Sequence, residues 1–152
     1  MKKNKNAFTM IEVVFVIVVL GILAAIAVPK FAATRDDATI AKGRANIASI
    51  RSAIVTERQS RLIQGVNTFI PVGSGTYPAS NGVTYKQIDN GGLFGGVLMY
   101  PITASSGNDG WSSSTSGSYT YKVAGSSNTL TYDENDGTFL CTAGAECPQL
   151  TN

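Results

Sequence analysis

The hydrophobic pattern of the chain begins with one long apolar run. From Phe8 to Val28 every side chain is uncharged except Glu12. A helix over these 21 residues is about 30 Å long, which is the thickness of the hydrocarbon core of a bilayer. The run therefore predicts a membrane-spanning helix. The positive-inside rule keeps the short basic leader before it in the cytoplasm and sends the rest of the chain outward.

Beyond the apolar run, from Lys30 to about Gln64, the hydrophobic positions take the spacing of an amphipathic helix. They recur three, four, seven or eight residues apart, with charged side chains between them. These positions are Ile40, Ile47, Ile50, Ile54 and Leu62. Gly65 is suited to the C-terminal cap. The two stretches predict one long helix with an apolar half (8–29) and an amphipathic half (30–64).

Residues 65–110 form a predicted connecting region that is rich in Gly, Pro, Ser and Asn. Tyr77–Pro78 and Asn81–Gly82 predict turns, and Val83–Ile88 predicts a short strand. The apolar stretch Leu93–Tyr100 is expected to tuck under a sheet.

Alternation of aromatic and polar side chains predicts that sheet in residues 111–152. The predicted strands are Ser118–Val123, Thr129–Tyr132 and Thr138–Cys141, with turns at Gly125–Asn128 and Asp133–Gly137. The tract Ser112–Ser118 before them predicts a solvated loop. An antiparallel meander of this size needs one covered face, which the amphipathic helix supplies. The expected fold class is α+β, with a long N-terminal helix packed on a small antiparallel sheet.

Charge is distributed unevenly along the chain. Residues 30–64 carry seven Lys/Arg against three Asp/Glu, whereas residues 65–152 carry two against six. An acidic distal part argues against binding nucleic acid through its phosphates, so no direct nucleic-acid contact is expected. The basic residues of the amphipathic half form either a solvated face or a contact with the acidic distal part of a neighbouring copy.

Catalytic and metal-binding signals are weak. The chain has no histidine, the commonest general base and metal ligand, and no phosphate-loop or Gly-x-Ser-x-Gly motif, so we expect no enzyme and no cofactor. Cys141 and Cys147 cannot complete a zinc site by themselves, and the short loop between them suits a disulfide, with two free thiols as the alternative. A disulfide implies an oxidising compartment outside the cytoplasm.

Three simple interpretations of the apolar run compete with a specialised one. The run is too long for a soluble core helix and for the core of a cleaved signal, although Ala25–Ala27 offers a signal-peptidase site. In a plain membrane anchor Glu12 is a defect, since a charge at mid-membrane costs about 2.5–3.5 kcal/mol. A carboxylate inside a membrane usually has a partner cation.

The N-terminal motif resembles that of type IV pilins and type II secretion pseudopilins. The resemblance rests on Phe8-Thr9-Met10-Ile11-Glu12 after a basic leader, followed by the apolar run and the ending Gly-x-Leu-Ala-Ala-Ile-Ala-x-Pro at Gly21–Pro29. The clear match covers residues 2 to about 35. Beyond that point the chain resembles the family in architecture more than in motif.

The resemblance implies specific processing and assembly steps. A prepilin peptidase is expected to remove the leader 1–7 by cutting between Ala7, where the family usually has Gly, and Phe8, and to methylate the new amine of Phe8. Glu12 is then expected to pair with the Phe8 amine of a neighbouring subunit and to set its register in a filament. Gly21 and Pro29 bound the part of the helix that is expected to unwind during assembly.

A calcium site is a further, weaker expectation from the resemblance, because some pseudopilins bind calcium in a C-terminal loop. Asp133 and Asp136 are its candidate ligands here. The stretch lacks the alternating spacing of an EF-hand, and a hairpin turn explains it equally well.

The expected function is mechanical, that of a structural subunit of a type IV pilus-like filament, in either a secretion system or a pilus. Expected partners are other copies of the chain, the prepilin peptidase, an inner-membrane assembly platform and the lipid bilayer. The expected location is the bacterial inner membrane with the distal part in the periplasm, and then a periplasmic or extracellular filament. The alternative is a membrane-anchored periplasmic binding or adhesion module that never polymerises, for which an exposed Trp111 would be useful.

Overall fold

A computed structural model describes residues 8–78, 84–115 and 117–151 of the chain. The predicted turn at Asn81–Gly82 and the leader 1–7 lie outside these residues. The chain divides into two units, residues 1–37 and residues 38–152. Each is described below by itself.

One helix contains both halves that the sequence predicts. Helix α1 covers Met10–Ile63. Its last turn closes where expected, because Gly65 takes a positive φ of 80° and the Val66 amide donates to the Arg61 carbonyl at 2.9 Å. Such a left-handed residue satisfies carbonyls that the helix leaves without partners.

In its described residues the second unit adds six strands and a short helix to the end of α1. These are β1 (Thr76–Pro78), β2 (Thr84–Lys86), β3 (Gly110–Thr115), β4 (Ser118–Val123), β5 (Ser126–Tyr132), β6 (Phe139–Ala143) and α2 (Cys147–Thr151). Strands β1 and β2 form an antiparallel pair, and the other four form an antiparallel sheet in the order β3-β4-β5-β6. The α+β fold class is confirmed, and β4 has the predicted bounds.

The core lies between the amphipathic part of α1 and one face of the sheet. Ile47, Ile50 and Ile54 are buried there together with the sheet residues Tyr119 and Leu130. The aromatic rings interlock, since the centroid of Phe94 lies 4.2 Å from that of Tyr119. The predicted role of the helix as the cover of the sheet is therefore confirmed. Leu62, predicted on the same face, is exposed, because Arg61, seven residues after Ile54, continues the buried face and Leu62 lies about 100° further round the helix.

Several local predictions were wrong. Tyr77–Pro78 belongs to β1 instead of a turn, since Tyr77 pairs with Tyr85 and a proline is tolerated at the end of a short edge strand. The Ser/Thr tract is largely β3, whose residues Ser112 and Ser113 pair with Thr120 and Tyr119. The small polar side chains of this tract gave no sequence signal for a strand. Backbone pairing with the aromatic strand β4 makes the tract a strand.

Two further predictions near the sheet need correction. Trp111 is only 2% exposed and packs 4.9 Å from Tyr121, so it is a core residue and offers no surface for adhesion. The β4–β5 turn is shorter than predicted, because it consists of Ala124 and Gly125, and Ser126 already pairs with Val123. Of the stretch Leu93–Tyr100, Leu93 and Phe94 are buried as expected, whereas its last two residues are exposed.

Three core tyrosines bury their rings and satisfy their hydroxyl groups inside the second unit. Tyr119 donates to Asp89 Oδ2 at 2.8 Å, Tyr121 to the Thr39 carbonyl at 2.7 Å, and Tyr132 to the Ile70 carbonyl at 2.8 Å. Burial raises the pKa of all three above the ordinary value of 10.0. For Tyr119 the neighbouring Asp89 carboxylate raises the pKa further.

These tyrosines predict a loss of stability in alkali. Because the folded-state pKa values are raised, their contribution is fully present below the unfolded pKa of 10.0 and is lost as the pH rises above it. We expect the free energy of unfolding to fall above that pH by up to about 1.4 kcal/mol per pH unit for each tyrosine. Denaturant unfolding at stepped pH, followed by circular dichroism and tyrosinate absorbance, measures this. Complete tyrosine ionisation with native dichroism would contradict it.

Gly43 marks the closest approach of α1 to the C-terminal segment. A Cβ at this position would lie 2.8 Å from Leu150 Cδ2 and would also meet the ring of Tyr121. Glycine is unfavourable in a helix, but here it lets a buried leucine and a buried tyrosine rest directly on the backbone.

We predict that Gly43→Ala lowers the stability of the second unit. Alanine gains about 1 kcal/mol of helix propensity, whereas crowding at this contact costs about 1–3 kcal/mol. Denaturant unfolding of the full chain in detergent micelles measures the balance. Gly21→Ala is the matched control, because a Cβ there meets nothing within 4 Å. A Gly43→Ala variant that is more stable than the unmodified chain would contradict this, because it would show that the contact has room for a methyl group.

Candidate membrane and assembly segment

The N-terminus of α1 is capped by Thr9. The Glu12 amide donates to Thr9 Oγ1 at 3.3 Å and to the Thr9 carbonyl at 3.1 Å. Thr9 and Glu12 are three residues apart, which is the spacing of a capping box. Glu12 lies in the first turn, where the positive end of the helix dipole favours a carboxylate. The same residues that carry the family resemblance therefore also start the helix.

Phe8 lies just before this cap, with 79% of its surface exposed. If the chain began at Phe8, its terminal amine would stand at the positive end of the helix dipole, which disfavours a cation. A carboxylate one turn along the helix offsets that effect. Glu12 is therefore placed to stabilise positive charge at this helix end.

The apolar half of α1 has no covering partner within the part of its unit that the structure describes. Its large hydrophobic side chains are exposed, from Val19 at 37% to Met10 at 88%. An 18-residue window of α1 has a mean hydropathy of 3.1 and is not buried. By length and composition this is the one helix in the described residues that could cross a membrane. A surface of this size requires lipid or other helices around it.

The segment predicted to unwind is helical here. Residues 21–29 all lie within α1, including Pro29, which lacks an amide donor and disfavours the helix interior. Gly21 borders open space. The helix is intrinsically weak between these two residues, and its unwinding during assembly stays a prediction.

Comparison with known proteins identifies the N-terminal motif. A family model described as the prokaryotic N-terminal methylation motif matches residues 2–28. Residues 2–28 therefore carry the prepilin-type N-terminal motif that the sequence resemblance indicated. We call residues 8–29 the prepilin helix.

Two curated relatives share part of the sequence. The chain is 52% identical over 48 residues to the type IV narrow pilus major component PilA5 of Thermus thermophilus, covering 32% of this chain and 41% of the relative. It is 36% identical over 53 residues to the type II secretion system core protein G of Pseudomonas aeruginosa, covering 35% of this chain and 37% of the relative. The matches thus span less than half of each relative. No solved structure matches the chain.

Outside the prepilin helix, the predicted disulfide is confirmed. Cys141 in β6 bonds Cys147 at the start of α2, with their Cα atoms 5.5 Å apart. The bridge ties α2 to the sheet, and Leu150 of α2 is buried. Helix α2 itself was not predicted, because five residues are too few to show a periodic pattern.

The candidate calcium ligands are engaged in the β5–β6 turn. Asp133 Oδ1 accepts from the Asn135 amide at 2.8 Å, and Asp136 Oδ1 accepts from the Thr138 amide at 2.9 Å. Hydrogen bonds from Thr138 lower the pKa of Asp136. Among the described residues, no three His, Cys, Asp or Glu side chains are grouped to hold a metal. Calcium binding by this turn stays a prediction.

Three arginines of α1 make contacts within their own chain that neither alternative included, and a contact of the basic residues with a neighbouring copy stays a prediction. Arg44 and Arg51 each donate from Nε to a carbonyl of the same chain at 3.0 Å, that of Gln149 and that of Phe139. Arg61 is fully buried and is paired with Glu57 Oε1 at 2.8 Å. These three cations therefore hold the unit together instead of forming only a solvated face.

Arg61 fastens the connecting region to the end of α1. It donates to the Lys86 carbonyl at 3.1 Å and lies 5.0 Å from the Tyr85 ring centroid. Loss of one partner of a buried ion pair typically costs about 3–5 kcal/mol. The sequence pattern did not indicate that Arg61 is buried, because its charge assigned it to the polar side of the helix. Thr9 was also missed as a cap, although the Thr-x-x-Glu spacing was a readable signal.

Proposed function

We propose that this chain is a structural subunit of a type IV pilus-like filament that is processed by a prepilin peptidase and polymerised from the inner membrane. One observation carries the proposal: a helix half whose large apolar side chains are exposed bears a single carboxylate, Glu12, in its first turn. Lipid alone can cover the apolar surface but supplies no cation for the carboxylate. Copies of the same helix can supply both.

The partner cation is the amine that processing creates. Cleavage between Ala7 and Phe8 leaves a charged nitrogen at the end of the prepilin helix, and methylation of that nitrogen keeps its charge. In a medium of low dielectric, paired opposite charges are strongly favoured over separated ones. Glu12 of an incoming subunit therefore stops where it meets the Phe8 amine of a neighbour, which fixes the axial register of the filament.

Removal of the leader also frees the helix to leave the bilayer. The leader carries three lysines, Lys2, Lys3 and Lys5. Without them the prepilin helix is apolar apart from one charge pair. Its Val, Ile and Leu side chains lose little when they exchange lipid for one another. Unwinding between Gly21 and Pro29 would then let packed helices adjust their length.

The location follows from the same features. The basic leader places the N-terminus in the cytoplasm, and residues 38–152 then lie in the periplasm, where the Cys141–Cys147 disulfide is stable. An assembly platform in the inner membrane and a cytoplasmic ATPase would drive subunits into the filament. The two relatives come from a pilus and from a secretion system, so both a pilin and a pseudopilin role are compatible with the chain.

The competing function is a membrane-anchored module that never polymerises. Nothing in a lone anchor offsets the insertion cost of Glu12, and the aromatic side chain proposed for adhesion, Trp111, is buried. Filament assembly accounts for Glu12 and does not require an exposed Trp111, so we favour it.

Replacement of Glu12 distinguishes the two functions. We expect Glu12→Ala and Glu12→Gln to abolish filaments, because neither side chain can pair with a terminal amine, while membrane insertion is kept or improved. Electron microscopy of filaments, together with membrane fractionation, measures both effects in cells. Asp36→Ala is the control for loss of a carboxylate beyond the prepilin helix. Normal filaments from Glu12→Ala would refute the pairing.

The mature N-terminus gives a second prediction. Mass spectrometry of the protein from cells should show a chain that begins at Phe8 and is one methyl group heavier than the unmodified chain. Ala7→Gly should raise the processed fraction, because glycine is the residue that the family usually has before the cut. An intact leader, or a chain beginning at Val28, would exclude prepilin processing and with it the amine that Glu12 requires.

A further inference from the structure

Strand β6 is an edge strand of the four-stranded sheet. It pairs with β5 on one side, and no further strand of the sheet follows it in the described chain. Unpaired backbone groups at such an edge are a template for pairing with another chain. Natural sheets blunt their edges with charged side chains, prolines or a covering element.

Strand β6 carries none of the usual protective residues in its own sequence. The segment Phe139–Ala143 reads Phe-Leu-Cys-Thr-Ala, with no charge and no proline. Leu140, on the face opposite the core, is 52% exposed. An uncharged strand with an exposed leucine at a sheet edge favours edge-to-edge association unless something covers it.

Helix α2 lies against β6, to which the Cys141–Cys147 bridge ties it, and α1 supplies a further covering group. Arg51 reaches across from the helix, and its Nε donates to the Phe139 carbonyl at 3.0 Å. Arg44 and Arg58 lie seven residues before and after it, and therefore near the same side of the helix. Arg44 donates to the Gln149 carbonyl at 3.0 Å, and Arg58 stacks 4.5 Å above the Phe69 ring. The three arginines thus line the side of α1 that meets β6 and its neighbouring loops.

The opposite edge of the sheet is protected in a different way. The Ser105 amide donates to the Trp111 carbonyl of β3 at 2.7 Å, and Ala104 bridges to the same strand residue. A backbone segment of the chain therefore covers part of β3. At the β6 edge a side chain, Arg51, donates to the backbone of the strand at Phe139.

We propose that Arg51 prevents β6 from pairing with the β6 edge of a second copy, so that copies of this chain meet through their helices and not through their sheets. The Phe139 carbonyl is an acceptor that an added strand would use, and Arg51 occupies it. The statement about helices rests on the proposed function, whereas the protection of the edge does not. Filament formation concentrates subunits, which makes an unprotected edge more hazardous.

The test compares cross-β assembly in the full chain, purified in detergent micelles. We expect Arg51→Met to form thioflavin-positive assemblies, with the strand-spacing reflection of cross-β fibres, several-fold faster than the unmodified chain. Lys42→Met is the control, since it removes an exposed cation from the same helix. All rates are compared at the same folded fraction, which is set from each variant's unfolding curve.

A second substitution separates edge pairing from simple loss of stability. Leu140→Lys puts a charge on the exposed face of β6, so Arg51→Met/Leu140→Lys should assemble as slowly as the unmodified chain while its unfolding midpoint stays at that of Arg51→Met. Arg51→Met/Leu140→Lys could assemble more slowly than Arg51→Met only in proportion to a gain in its free energy of unfolding. In that case the assemblies form from unfolded chains and the proposal is wrong. Equal rates for Arg51→Met, Lys42→Met and the unmodified chain would also overturn it.

If Arg51→Met does not fold, Arg51→Gln replaces it in the same assembly assay. Its polar side chain is shorter and uncharged, and we expect a folded variant that still assembles faster than the unmodified chain. A folded Arg51→Gln that assembles at the unmodified rate would overturn the proposal. Because the readout does not involve filaments, cells without filaments would refute the proposed function and leave the edge protection standing.

Discussion

The contact between the isoleucines of α1 and the aromatic face of the sheet is the interaction on which the rest of the second unit depends. Ile47, Ile50 and Ile54 are each almost fully removed from water against a layer that includes Tyr119 and Leu130. Burial of one such side chain is worth about 1.5–3 kcal/mol. A four-stranded sheet with one apolar face is not stable alone, so the helix is the second layer that the sheet requires.

The arginines of α1 add hydrogen bonds to the apolar contact that the isoleucines make with the sheet. Apolar packing sets the distance between helix and sheet but leaves backbone carbonyls at the sheet edge and the chain end without partners. Arg51 satisfies the carbonyl of Phe139, Arg44 that of Gln149, and Arg61 that of Lys86. Long side chains with several donors can span these gaps while their aliphatic stems pack on the core. One helix thus provides both the apolar layer of the unit and the arginine hydrogen bonds that hold its other segments in place.

The prepilin helix faces the opposite constraint, since its apolar surface has no partner in its own unit as described. In the proposed function a bilayer covers this apolar surface before assembly and neighbouring helices cover it afterwards, with nearly equal burial of apolar area. In the proposed function Glu12 distinguishes these two states, because in the filament it pairs with the Phe8 amine of a neighbouring copy. Thr9 holds the first turn in place, so the carboxylate is presented at a defined position near the helix end.

The sequence by itself determined the elements whose signals are local and periodic. The long helix, its apolar and amphipathic halves, the β4 strand, the Gly65 cap and the short disulfide loop were all predictable, because spacing and residue type decide them before any tertiary contact forms. Tertiary structure decided what depends on a distant partner. Tyr77 and the Ser/Thr tract became strands because strands elsewhere pair with them. Trp111 became core, and Gly43 became a contact point. Charged Arg61 was buried because Glu57 and the Lys86 carbonyl meet it there. A single sequence shows which groups need partners, and the fold determines which partners they find.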